Sequence, residues 1–212
     1  MSSPTVSTKL ARIAEQSARS PDMVFTTLAH NMDVTFLHEA FCRVRPQPAP
    51  GVDGVTWEDY SRNLSANLES LHARLRDGTY RAPPVRRTWI GKEDGKQRPL
   101  GIPTLEDKIV QRAVAMLLEA VYEPLFEACS YGFRPGRSAH QALSYLRTQC
   151  LALDINWVVD SDVSGFFDRV NHDRLMARLS RHIRDKRVLR LIGLYLRAGI
   201  QAEHGMVPST EG

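Results

Sequence analysis

Three short stretches of this chain place carboxylates, guanidinium groups and ammonium groups at spacings that could do chemistry. From Trp157 to Asp168, an apolar β-branched run leads to Asp160 and Asp162, then to Gly165, Phe166, Phe167 and Asp168. Trp157, Val158 and Val159 predict a short buried strand. Asp162 then falls near the strand exit, where a carboxylate facing a cleft can hold a hard cation such as Mg²⁺ through oxygen ligands. An acid at a strand end more often caps a turn or the next helix, so this run does not decide the matter by itself.

The second stretch, Ile90 to Pro103, contains a Glu93-Asp94-Gly95 turn between strand-like runs Val85 to Gly91 and Gln97 to Ile102. That pattern predicts a β-hairpin. Lys92, Lys96 and Arg98 cluster around its turn and suit a clamp on phosphate, Lys as a point charge and Arg as a planar fork that also stacks on a base. In the third stretch, Ser138 and Gln141 form a capping-box pattern that opens a helix. Arg134 and Arg137 precede this helix N-terminus, a natural place for phosphate.

Charge is unevenly distributed along the 212 residues. Residues 62–98 carry nine basic and four acidic side chains, and residues 169–197 carry nine and two. The block between them, which holds Asp162, carries five and nine. Two basic blocks flanking an acidic one suit a cleft that grips a nucleic-acid backbone. No apolar run approaches the ~20 residues needed to span a bilayer, so no membrane association is expected. Cys42, Cys129 and Cys150 are odd in number and lack paired spacing, which argues against a disulfide framework or zinc site and fits a cytoplasmic location.

The remaining pattern is mostly helical. Residues 9–19 and 33–45 predict helices, separated by a stretch from Phe25 to Asn31, and Pro46 to Gly51 is a breaker cluster. Thr56 with Asp59 opens a helix whose Leu64, Leu68, Leu71 and Leu75 share one face and which ends at Asp77-Gly78. Thr104 with Asp107 opens another that buries Ile109, Ala113, Met116, Leu117 and Val121. One or two helices follow between Asn171 and Ala198, with Leu175, Leu179 and Ile183 inward and Arg174, Arg178 and Arg181 outward.

Taken together, these runs resemble reverse transcriptases, especially those encoded by group II introns. The stretch around Asp162 resembles motif A of the polymerase palm. The resemblance implies that Asp162, rather than Asp160, is a catalytic ligand of Mg²⁺, joined by the Val163 backbone carbonyl. It places Phe167 where a ribonucleotide's 2′-hydroxyl would project, and leaves Asp168 as a structural acid capping the next helix. Ile90 to Pro103 resembles the fingers hairpin, implying that Lys92 and Arg98 contact the incoming nucleotide and that Lys96 contacts nucleic acid. Tyr131 to Leu143 resembles the family's motif 2, implying nucleic-acid contacts from Arg134 and Arg137. Phe25 to Asn31 resembles motif 0, which lies against template RNA, and Pro50 to Gly54 matches the family's Pro-Gly-x-Asp-Gly entry.

The expected fold is therefore α+β: helical fingers with a β-hairpin, joined to an incomplete polymerase palm of the right-hand type. Its antiparallel sheet would begin at residues 156–163. The expected division is an N-terminal helical extension over 1–50, fingers over 51–150 and the start of the palm over 151–212. Implied partners are intron or template RNA, a DNA or RNA primer and deoxynucleoside triphosphates. The sequence ends at Gly212, before the family's Pro-Gln-Gly-Gly and Tyr-x-Asp-Asp motifs. The chain alone is thus expected to lack a complete active site and to self-associate through an open sheet edge. Two alternatives share these features: a non-catalytic, maturase-like RNA-binding module, and a retron, diversity-generating or CRISPR-associated reverse transcriptase. A glycosyltransferase reading of Asp160-Ser161-Asp162 leaves the hairpin and the Gly-Phe-Arg-Pro-Gly-Arg run unexplained.

Overall fold

Helix starts are fixed locally. In the computed structural model, which describes residues 5–46, 48–91, 95, 97–202 and 205–207, seven of eight described α-helices begin at a side chain that accepts a backbone N–H two or three residues on. These are α1 (Val6–Arg19), α2 (Val34–Arg43), α3 (Trp57–Arg62), α5 (Leu105–Tyr122), α6 (Ala139–Ala152), α7 (His172–Leu179) and α8 (Lys186–Leu196), capped by Thr5, Asp33, Thr56, Thr104, Ser138, Asn171 and Asp185. The exception is α4 (Leu64–Arg76), whose preceding Asn63 makes no capping bond. The single helix expected after Thr56 is broken there, because Asn63 adopts φ −125° and ψ 37°.

The core is built on α5. Ile109, Val110, Ala113, Met116, Leu117 and Val121 are buried along it, and α1 and α2 pack against it. Phe36, Leu37 and Ala40 of α2, Leu68 and Leu71 of α4, and Val188 and Leu191 of α8 join the same cluster. The buried Ser17 hydroxyl donates to the Val121 carbonyl at 2.7 Å, tying α1 to the end of α5. Gly51 approaches the start of α5 so closely that a Cβ there would lie 2.6 Å from the Thr104 backbone. Only glycine permits that approach.

Two buried carboxylates in this core have opposite fates. Burial raises Asp107 to about 6, although hydrogen bonds from Tyr80 and Thr104 oppose the rise. Burial also works to raise Asp185, but the N–H groups of Ala29, Leu28, Arg187 and Val188 outweigh it and hold this carboxyl below the usual carboxylate value. Asp185 Oδ2 accepts from Leu28 at 2.6 Å and Ala29 at 2.8 Å, while Oδ1 accepts from Arg187 at 2.9 Å and Val188 at 3.3 Å. A backbone bridge between Phe25 and Ile183 runs alongside, with N–H···O distances of 2.8 Å in both directions. The stretch from Phe25 to Asn31 is thereby stitched to the start of α8.

Strands β1 (Val85–Gly91) and β2 (Gln97–Ile102) form the expected hairpin. β3 (Ile200–Ala202) adds parallel to β1, and β4 (Gly205–Val207) pairs antiparallel with β3, giving the order β2-β1-β3-β4. The fold mixes α and β elements as expected, but the sheet is elsewhere. Residues 157–163 form no strand, and Trp157 and Val159 are 90% and 92% exposed. The expected buried palm strand at 156–163 and its antiparallel sheet are therefore corrected. Among the described residues no strand flanks this segment, and an apolar β-branched run has no ladder of its own without a neighbour.

Replacing Asp185 with Asn should remove about 2–4 kcal/mol of stability at pH 7, because an amide brings two N–H donors into a pocket made of N–H donors. The folded-state pKa of Asp185 lies below its unfolded value of ~3.9, so its contribution is present above that value and lost as pH falls through the folded pKa. Urea unfolding at pH 7 and pH 3 should show the gap between wild type and Asp185→Asn narrowing at the lower pH. Asp107 titrates in both proteins and cancels from the difference.

Candidate active site

The β1–β2 ribbon projects with both faces accessible. Its register pairs Ile90 with Arg98, Thr88 with Leu100 and Trp89 with Pro99. Alternation places Arg98 with Thr88, Ile90 and Leu100 on one face, and Arg87 with Trp89 on the other. Pro99 is tolerated because β2 is the edge strand of the sheet. Arg98 is exposed, as expected of a nucleotide contact, while Lys92 and Lys96 lie outside the described residues. Trp89 is also exposed, with the Arg87 guanidinium 5.8 Å from its ring centre. This pair is absent from the sequence-based site residues. Its signal was the spacing of Arg87 and Trp89, which share a face two residues apart. A cation beside an exposed indole offers phosphate attraction and base stacking from the same face.

The turn before α6 separates two arginines that the sequence treats alike. Arg134 has a side chain only 7% exposed. Its Nε and Nη2 donate to Glu123 Oε1 at 3.1 and 2.9 Å, and its Nη1 donates to the carbonyls of Glu127 and Ser130, each at 2.8 Å. The guanidinium also lies 5.2 Å from the Phe126 ring centre. The expected nucleic-acid role of Arg134 is therefore corrected: its donors are already used, and it braces the turn onto the end of α5. Arg137 is exposed instead, its guanidinium 5.1 Å from the Tyr131 ring centre, and makes no ion pair among the described residues. That leaves its outer donors for phosphate.

Just before Arg134, Phe133 has φ 56° and is fully exposed. A non-glycine residue in the left-handed region costs about 1–2 kcal/mol and persists only where its surroundings hold it. Here the Arg134 brace and Gly136, at φ 69°, both follow Phe133 and set the turn. The result is an aromatic ring presented to solvent. Sequence reasoning passed over Phe133 because nothing in its identity signals a positive φ.

Asp162 occupies the extended, exposed segment between α6 and α7, together with Asp160 and Val163. Residues 157–163 make no hydrogen bonds among the described residues. No group of three His, Cys, Asp or Glu side chains suited to a metal ion is found among the described residues. The acids present thus do not fit a catalytic metal site as arranged, and Asp162 with the Val163 carbonyl cannot supply one alone. Phe166 and Phe167 are both exposed, their rings edge to face at 5.3 Å. They do not alternate along a strand, because a 3-10 turn (Phe167–Arg169) begins at Phe167. The expected capping role of Asp168 falls on a side chain outside the described residues; Asn171 caps α7, accepting from the Arg174 N–H at 3.0 Å. No hydrogen bond or ion pair joins Arg98, Arg137 and Asp162 among the described residues.

Residues 90–210 match the family described as reverse transcriptase (RNA-dependent DNA polymerase). Protein YkfC of Escherichia coli K12 is 42% identical over 153 residues, covering 71% of this chain and 40% of YkfC. The group II intron-encoded protein LtrA of Lactococcus lactis is 35% identical over 194 residues, covering 90% of this chain and 32% of LtrA. An uncharacterized 91 kDa protein in the cob intron of Schizosaccharomyces pombe is 32% identical over 207 residues, covering 95% of this chain and 25% of that protein. The chain therefore spans well under half the length of these relatives. With more than half of its residues inside the family match, and an intron-encoded protein such as LtrA aligned along nearly all of it, the chain belongs to the reverse transcriptase family.

Proposed function

We propose that this chain is the fingers and first palm portion of an RNA-directed DNA polymerase of group II intron type, binding RNA template, primer and deoxynucleoside triphosphate. The observation that carries this reading is the family match across residues 90–210. It spans β2, with the exposed Arg98, and the braced turn that presents Arg137. In this reading residues 1–50 form an N-terminal extension, 51–150 the fingers and 151–212 the start of the palm. Lys92 and Arg98 meet the incoming nucleotide, Lys96 and Arg137 meet nucleic-acid phosphate, and Trp89 and Phe133 stack on bases.

Reverse transcriptases use divalent metal ions, and Mg²⁺ is the ion proposed here. Two-metal phosphoryl transfer needs ions about 4 Å apart held by more than one carboxylate. Asp162 and the Val163 carbonyl contribute to such a site only where further acids join them in an assembled polymerase. Phe167 is proposed as the residue that excludes a 2′-hydroxyl. No described helix is long and apolar enough to cross a membrane. The three cysteines are free thiols, which supports a cytoplasmic setting.

In a polymerase containing this chain, Asp162→Asn should abolish RNA-templated primer extension while RNA affinity stays within about twofold, since the amide is nearly isosteric but neutral. Asp160→Asn should do far less, and equal loss from both would remove the assignment. Phe167→Val should raise the ratio of ribonucleotide to deoxynucleotide incorporation, because shortening the side chain relieves a clash. A flat ratio would show that Phe167 does not select the sugar.

The two arginines of the turn should separate cleanly. Arg137→Ala should weaken RNA binding by the chain and lower the slope of log affinity against log salt by about one unit, with the melting temperature unchanged. Arg134→Ala should lower stability by about 2–4 kcal/mol, because it strands buried acceptors and the partly buried Glu123 carboxylate. Thermal melts and RNA titrations at several salt concentrations read both effects. A salt-slope change without a stability change for Arg134→Ala would restore it as a phosphate contact.

A further inference from the structure

Three side chains that meet in the interior each lie five residues from a strand of the sheet. Tyr80 precedes β1, which starts at Val85; Asp107 follows β2, which ends at Ile102; Tyr195 of α8 precedes β3, which starts at Ile200. Tyr80 and Asp107 are 2% and 1% exposed, and the Tyr80 hydroxyl donates to Asp107 Oδ1. The Tyr195 hydroxyl borders both, is itself buried, and finds no hydrogen bond among the described residues. Five residues of chain reach at most about 17 Å. The cluster therefore tethers the roots of β2, β1 and β3 to α5 and α8. At the same roots the Val85 N–H donates to the Gly199 carbonyl at 3.1 Å. The hairpin that carries Trp89 and Arg98 leaves the helical core from here.

A negative charge on Asp107 is poorly compensated. Burial pushes its carboxyl up, Glu106 and Asp53 add to the rise, and no cation opposes them among the described residues. The opposing groups are the neutral hydroxyls of Tyr80 and Thr104. Arg74 is committed to Glu106, its Nη2 donating to both carboxylate oxygens at 2.8 Å, and the Tyr60 hydroxyl donates there as well at 3.2 Å. Lys108 donates to the Ala49 carbonyl. Burial pushes the Tyr80 and Tyr195 hydroxyls well above their ordinary range, so both stay protonated. Of the three, Asp107 is the group that changes charge, at about 6. A buried carboxylate without a cation is relieved by water. An opening of the roots that admits water returns Asp107 toward its unfolded ~3.9. The charged form thus favours opened roots and the neutral form closed ones. With the folded value raised, the stabilisation is complete below ~3.9 and is lost as pH rises through about 6.

We propose that Tyr80, Asp107 and Tyr195 form a proton-sensitive clasp at the roots of the sheet, closed when Asp107 is neutral and loosened when it is charged, so that the β1–β2 hairpin is more mobile at neutral than at mildly acidic pH. The clasp goes beyond the polymerase reading and stands without it. Its test is native-state hydrogen exchange on the 212-residue chain, with rates corrected for the intrinsic pH dependence of exchange. In wild-type protein the opening constant of root amides such as Val85 should be about tenfold larger at pH 7 than at pH 5, the factor set by a group that titrates at about 6 when closed and at ~3.9 when open. Amides of α1, which Ser17 ties to the opposite end of α5, should stay within about twofold. Asp107→Asn should abolish the dependence. Tyr80→Phe removes a hydrogen bond that lowers Asp107, so the step should move to higher pH. Carboxyl carbon-13 titration of the wild-type chain should give Asp107 a midpoint of about 6, a readout that needs no variant to fold. An ordinary midpoint of about 4 would overturn the proposal. So would an unchanged pH dependence in Asp107→Asn. A tenfold change shared by the α1 amides would also overturn it, since the charge would then loosen the whole core rather than the roots of the sheet.

Discussion

The Asp185 carboxylate organises the helical half of this molecule. It ends one chain segment and begins another, accepting from Leu28 and Ala29 on one side and from the first turn of α8 on the other. A charge buried this deeply is tolerable only because four N–H dipoles replace its water. The Phe25–Ile183 bridge lies beside the same contact. Asp107 shows what happens with fewer donors, since burial raises its pKa to about 6.

Residues from α6 to Phe167 behave differently. α6 has no buried residue, and Leu143, Leu151, Trp157, Val159 and Phe166 are exposed. An apolar surface of this extent is unusual on an isolated soluble domain and marks a contact region. The helical core is thus preformed, while the segment bearing Asp162 has no hydrogen bonds of its own among the described residues.

Much of this was legible in the sequence, for local reasons. Thr56, Thr104 and Ser138 announced their helices because a cap is a contact across three residues. The hairpin boundaries followed from alternation and a glycine turn. What the sequence concealed depends on distant partners. Arg134 and Arg137 have the same chemistry and sit three residues apart, yet Glu123, eleven residues upstream of Arg134, turns one into a brace. The 157–159 run has strand composition, but composition cannot supply the neighbour a strand requires.

The central claim is that the rigid helical core presents nucleic acid with a face made of the β1–β2 hairpin and the turn at 131–137. Photo-crosslinking of 4-thiouridine RNA to the chain, with adducts located by mass spectrometry, tests it most directly. Adducts at Trp89 and Phe133 are the predicted result, since both rings are exposed to solvent. RNA that binds and crosslinks at neither residue would contradict it.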